Sequence, residues 1–176
     1  MKTWQVLNLW GIPFYIHPNW TLLLFLFSWS ISNQIRLTSS EIYNIKECWL
    51  IGFFSAFLLL TTILLNQIPH TFISLREGVK IKKVTFFFLG AICQTEKECQ
   101  NALGNIKISL VRPLFYFLTS IILFSLSYSI TNKDQIIINV ISRVGILNLF
   151  LGCFNLIPMS SLDGGILFKN IIWYLS

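Results

Sequence analysis

Asn66, Gln67 and His70 sit inside a long apolar run, and Asp163 closes another far downstream. Asn66 and His70 are four residues apart, so a helix places both on one face. Two histidines at that spacing, with a glutamate after the first, bind zinc and activate water. Here the Asn66 amide offers a hard, uncharged oxygen, a weak zinc ligand. Gln67 cannot take a proton from water. Only His70 keeps its imidazole. By residue type the set therefore predicts no catalytic side chain, with Gln67 unable to act as a base, and no metal. Taken singly, each has a plainer reading. His70 beside Pro69 reads as a satisfied polar core residue in an interrupted helix. Leu162-Asp163-Gly164-Gly165 reads as a helix end with a turn.

Depth links the two stretches. His70 lies six residues before Arg76, and Asp163 six before Lys169. Both runs head toward the same face, so both side chains are expected at about 9 Å inside the first basic residue by helical rise. A carboxylate at that depth must be protonated or find a donor. The candidates are His70, Asn66 and Arg112. A hydrogen bond to His70 or Asn66 is expected, with Arg112 as the replacement cation if it turns inward instead of snorkelling to headgroups. Asn66, His70 and Asp163 would then form a polar clasp.

The elements that must hold these residues are membrane helices. Of 176 residues, 55% are hydrophobic and 11% charged, well below the ~25% charged of a soluble domain. Four uncharged stretches approach the length that crosses ~30 Å of hydrocarbon: Phe14 to Ser32, Cys48 to Leu75, Pro113 to Thr131 and Val144 to Leu162. The remainder, Asp163 to Ser176, is an amphipathic fragment with Trp173 and Tyr174. Between the second and third stretches, Val79 to Leu89 alternates as one or two short strands would. The expected fold is an all-α membrane bundle of about four helices with that strand segment inserted, as one domain over residues 1–176.

The net charge of +6 belongs to topology, not to nucleic acid. The side carrying residues 76–112 and both termini holds eight basic residues and the other side three, with Arg112 and Arg143 at span ends left out. That loop is therefore expected to face the cytoplasm or a stroma. The four cysteines suggest neither a metal knuckle nor a structural disulfide between Cys93 and Cys99.

The chain resembles the site-2 proteases of the cyanobacterial and plastid type. Gly11-Ile12-Pro13-Phe14-Tyr15 is similar to their leading segment. Asn66-Gln67-Ile68-Pro69-His70 stands where they carry His-Glu-x-x-His. Thr85 to Ala91 resembles their strand segment, and Val111-Arg112-Pro113-Leu114 takes the place of Ala-Gly-Pro-Leu. Asn155, Pro158, Asp163, Gly164 and Gly165 match their aspartate motif. The resemblance implies that His70 and Asp163 are relic zinc ligands and that Asn155 and Pro158 are relic contacts to an unwound substrate. Arg112 departs from it by placing a guanidinium where close packing wants glycine. By the same resemblance, the later spans of the cyanobacterial members are expected to be missing here.

The expected function is that of a non-catalytic relative, a binding or assembly factor or a fixed subunit of a larger membrane complex, photosynthetic if the resemblance extends to a thylakoid or plastid membrane. Its partners would be other transmembrane proteins and lipid, with Gly52 and Gly152 allowing close approach. The alternative is a residual zinc-dependent intramembrane metalloprotease. A third possibility is pigment: His17 or His70 could ligate a chlorophyll magnesium, although His17 beside Trp20 also reads as an interfacial anchor.

Overall fold

In the computed structural model the described residues are 3–38, 43–87, 90–97, 99–130, 135–159 and 162–175. Lys2 and Lys133, which enter the charge count, lie outside them, as does Thr131. The element order is β1 (Trp4–Leu9), β2 (Ile12–Ile16), α1 (Asn19–Thr38), α2 (Ile45–Arg76), β3 (Lys80–Phe87), β4 (Gly90–Lys97), α3 (Ala102–Ser129), α4 (Gln135–Asn155) and α5 (Asp163–Leu175). The helical bundle with a strand insert is as the sequence implies. The helix count is five, not four, because Asp163–Leu175 forms a helix of its own.

Two boundaries differ for physical reasons. Phe14 opens no helix: it lies in β2, and α1 begins after His17-Pro18. Nor does Val144 open one. It sits fully buried in the middle of α4, and the apolar sequence after Asn155 turns before α5. The helices α2, α3 and α4 are each long and apolar enough to cross a membrane.

The helix α2 carries the first half of the site and is closed at both ends. Asn44 accepts from the Glu47 N–H at 3.1 Å, and Glu47 accepts from the Asn44 N–H at 2.9 Å, a reciprocal capping box. At its far end Gly78, with φ +81°, donates to Leu75, and Val79 donates to Ser74. That pair of bonds is a Schellman stop. Its 32 residues extend over about 48 Å.

The four strands form one sheet in the order β1-β2-β3-β4. Trp10 and Gly11, both at positive φ, make the two-residue turn between β1 and β2. The strands β2 and β3 are parallel, with Phe14 opposite Val84. Ile12, Phe14, Val84 and Phe86 bury one sheet face against Trp20, Leu23 and Leu60. A second cluster, with Ile35 and Ile51 fully buried, locks α1 to α2. Leu59, Leu123 and Val144 join α2, α3 and α4. Elsewhere the helices present Phe25, Trp29, Phe57, Ile121 and Phe150 outward, as lipid-facing helices do.

Gly52 is spent inside the chain, not on partners. A Cβ there would stand 2.5 Å from the Ser28 carbonyl oxygen, so glycine is what lets α1 reach α2. Gly152 likewise faces Phe117 of α3.

Candidate functional site

The last turns of α2, the third turn of α3 and the first turn of α5 converge on one polar cluster. Asn66, Gln67 and His70 are buried on one face of α2, as their spacing requires. Arg112 reaches in from α3, just before the buried Pro113. Asp163 is presented by α5, whose start is pressed onto the carbonyls of Leu156 and Ile157. A Cβ on Gly164 would collide with both.

The guanidinium is the hub. Arg112 Nη1 donates to Asp163 Oδ1 at 3.0 Å. Its Nη2 donates to Gln67 Oε1 at 3.3 Å and approaches His70 Nδ1 at 3.5 Å. Gln67 Nε2 lies 3.3 Å from His70 Nδ1 and donates to Cys93 Sγ at 3.0 Å. Asp163 is thus paired with Arg112, and not with His70 or Asn66 as expected. Arg112 was expected at the start of its span; it lies well inside α3 and points inward. Within this cluster two buried acceptors, Asn66 Oδ1 and Asp163 Oδ2, have no partner among the described residues.

The residues Asn66 and Asp163 line a cavity of about 310 Å³ between the helices, together with Gln67, Arg112 and Asn155. Trp20, Leu60, Phe154 and Tyr116 supply apolar walls. Asn155 is half-buried there, and its amide donates to the Leu151 carbonyl at 2.8 Å. Pro158 is exposed in the link between α4 and α5, outside the cluster. His17 is also elsewhere. Its ring stacks on Phe87 and its Nδ1 accepts from the Asn19 N–H at 3.3 Å, so it caps the turn into α1.

Sequence reasoning missed Cys93 and Tyr116. Cys93 enters through the sheet, because the β3–β4 register sets it opposite Val84. Burial pushes its thiol above the usual range, against the pull of Arg112. The Tyr116 hydroxyl lies beside the Asn66 side chain, one helical turn beyond Arg112 on α3. No linear motif marks either residue.

No family model matches the chain. The fold superposes on the "Site-2 Protease from Methanocaldococcus jannaschii" with a TM-score of 0.64, over 97% of this chain and 72% of that one, at 24% identity. In sequence it is 31% identical to "Putative zinc metalloprotease sll0528" of Synechocystis sp. over 98% of its length. It is 28% identical to "Zinc metalloprotease MJ0392" of Methanocaldococcus jannaschii over 96%. This is a site-2 protease-like membrane protein. The chain spans under half the length of those curated relatives, 45% of each.

The relatives' names correct two expectations drawn from Asn66 and Gln67. A site-2 protease-like chain whose relatives are called zinc metalloproteases points to a protease, not to a non-enzyme. The same names imply zinc, against the expectation that the metal was lost. Loss of one ligand type and one base, read from five residues, was too local to decide either question. As packed, however, the donors do not fit a catalytic zinc. Among the described residues no group of three His, Cys, Asp or Glu side chains is placed to hold a metal. A guanidinium lies on the Asp163 carboxylate and close to the His70 imidazole.

Proposed function

We propose that this chain works in intramembrane proteolysis, its cavity receiving an unwound segment of a transmembrane polypeptide. One observation carries the reading. A cavity walled by aromatic and aliphatic side chains is also lined by Asn66 and Asp163, whose buried acceptors Oδ1 and Oδ2 have no partner among the described residues. A helix unwound inside a membrane frees N–H groups that must be paired, since no water reaches them. Acceptors at that depth would supply what such a segment lacks. Peptide-bond hydrolysis is the activity in the relatives' names, and it is the reading we extend to this chain.

Zinc, when bound in such enzymes, supplies a Lewis acid and an activated water. The residues as packed offer it no fitting site, so the chain's own contribution is described by what its side chains do. Arg112 fixes Asp163 Oδ1 and the Gln67 carbonyl, while Asp163 Oδ2 and Asn66 Oδ1 keep no partner among the described residues. Trp20 and Phe154 exclude lipid.

The test is reconstitution in liposomes with transmembrane peptides carrying a photo-crosslinker near a helix-breaking residue. Crosslinks to Phe154 or Leu151 that weaken in Asn66→Leu are expected, together with cleavage products of the peptide. Absence of crosslinks would end the proposal; crosslinks without cleavage under any metal would reduce it to capture.

Two finer points belong to the same reading. The basic residues of β3 and its flanks support placing the loop 76–112 on the cytoplasmic or stromal side. The cyanobacterial relative and the exposed apolar face of α5, with Phe168 60% exposed, support a role beside other transmembrane proteins in a larger, thylakoid-type complex.

A further inference from the structure

We infer that Arg112 is a built-in occupant of the cation position, so that its guanidinium and a divalent metal ion compete for the same side chains. The inference rests on the packing around Arg112 and deepens the proteolytic reading by adding a gate on metal loading.

Three observations carry it. First, the guanidinium binds the residues a metal would need. It donates to Asp163 Oδ1 at 3.0 Å and comes to 3.5 Å from His70 Nδ1, bridging α5 and α2. A metal takes carboxylate and imidazole ligands at about 2.0–2.2 Å. An ion bonded to both groups would therefore fall against the guanidinium, with like charges in contact and little water to screen them. Second, the cluster is already neutralised. Asp163 is the acidic member and Arg112 its cation, with side chains 5% and 24% exposed, so a second cation finds no uncompensated charge to bind. Third, Asn66 Oδ1 and Asp163 Oδ2 are buried and have no partner among the described residues, and both residues line the cavity that Arg112 also lines. If the guanidinium left, His70, Asp163 and Asn66 would stand as one imidazole, one carboxylate and one amide oxygen around a vacated space. That set suits a borderline or hard divalent ion.

Arg112 has somewhere to go. It sits in α3 immediately before Pro113, and its long, flexible side chain can swing outward, as arginines do when they snorkel. Metal loading would then require Arg112 to release Asp163. The wild-type chain would load slowly and weakly unless a substrate or partner drew the guanidinium away.

The experiment measures metal affinity, not cleavage. Purified wild type, Arg112→Gly, Arg112→Gln and Arg112→Lys are titrated in mild detergent with Co²⁺, read by its visible absorption, and with Zn²⁺ against a chromogenic chelator. Arg112→Gly is expected to bind about tenfold or more tightly than wild type, the scale on which changes around a metal ligand act. Arg112→Gln, which keeps bulk but drops the charge, should also gain. Arg112→Lys should stay near wild type. Adding His70→Ala to Arg112→Gly should abolish the gain. Equal affinity in all four proteins would overturn the inference, as would a gain that survives His70→Ala. If Arg112→Gly does not fold, Arg112→Gln alone decides. The proteolytic reading fails separately: a variant that gains metal while no peptide crosslinks to the cavity refutes substrate capture and leaves the gate standing.

Discussion

At the scale of the residue, the ion pair between Arg112 and Asp163 dominates. A carboxylate 5% exposed cannot be left alone without cost. Removing one partner of a buried pair typically costs about 3–5 kcal/mol, because the survivor keeps its charge without its solvent. Arg112→Ala is therefore expected to lose most of that, seen as a lower unfolding midpoint in detergent. Arg112→Ala with Asp163→Asn should recover a large part, since the uncompensated charge is gone. If the double variant is no more stable than the single one, the pair is not what holds α3 to α5. The sequence shows five polar members of this cluster, Asn66, Gln67, His70, Arg112 and Asp163, and offers Arg112 only as the second choice of partner for Asp163. Equal depth singled out His70 and Asn66 as partners for Asp163. Side-chain reach decided otherwise, because an arginine can span what an imidazole and a short amide cannot.

At the scale of the element, two short signals position the site. Asn44 and Glu47 start α2, and Asn44→Ala is expected to cost about 1 kcal/mol in thermal unfolding. Gly164 starts α5 against the backbone of residues 156 and 157. Gly164→Ala should push α5 outward, cost about 1–3 kcal/mol as overpacking does, and draw Asp163 from Arg112. A double-mutant cycle with Arg112→Ala would then show coupling between the two positions, and simple additivity would mean that α5 had not moved. Hydropathy found α2, α3 and the strand β3, since long apolar runs and alternation are strong signals; β4 begins at Gly90, beyond the alternating stretch. It missed β1 and β2. Their turn is Trp10-Gly11, and tryptophan is no marker of a positive-φ position, which Asn or Asp would have been. It also ran α4 on through the link to Leu162, because Leu156-Ile157 is apolar enough to read as helix while the backbone there has already turned.

At the scale of the whole molecule, the bundle is a membrane protein whose outward faces are Phe, Leu and Ile, and whose polar chemistry is gathered at one depth. Trypsin added to sealed vesicles with the cytoplasmic side out should cut at Lys80, Lys82 or Lys83 in the β3 strand. Vesicles of the opposite orientation should protect those bonds. The reverse result would invert the topology proposed from the distribution of lysine and arginine. What lay beyond the sequence at this scale is the third dimension. Cys93 and Tyr116 reach the cluster through strand register and helix packing, neither of which leaves a trace at a fixed spacing.

The parallel pairing of β2 with β3 has a consequence for synthesis. Phe14 must find Val84, about 70 residues later in the chain. At ~5–20 residues per second, the ribosome takes several seconds to deliver that partner, by which time α1 and α2 have had the chance to enter the bilayer. The first hairpin therefore waits, unpaired along one edge, until the segment after α2 emerges. A translation-arrest force profile should show an early pull from insertion of α1 and α2. A second, later pull should appear only once residues 84–86 have left the exit tunnel, and it should be weakened by Val84→Pro. The polar cluster assembles later still, when α5 brings Asp163 to an arginine made some fifty residues before it.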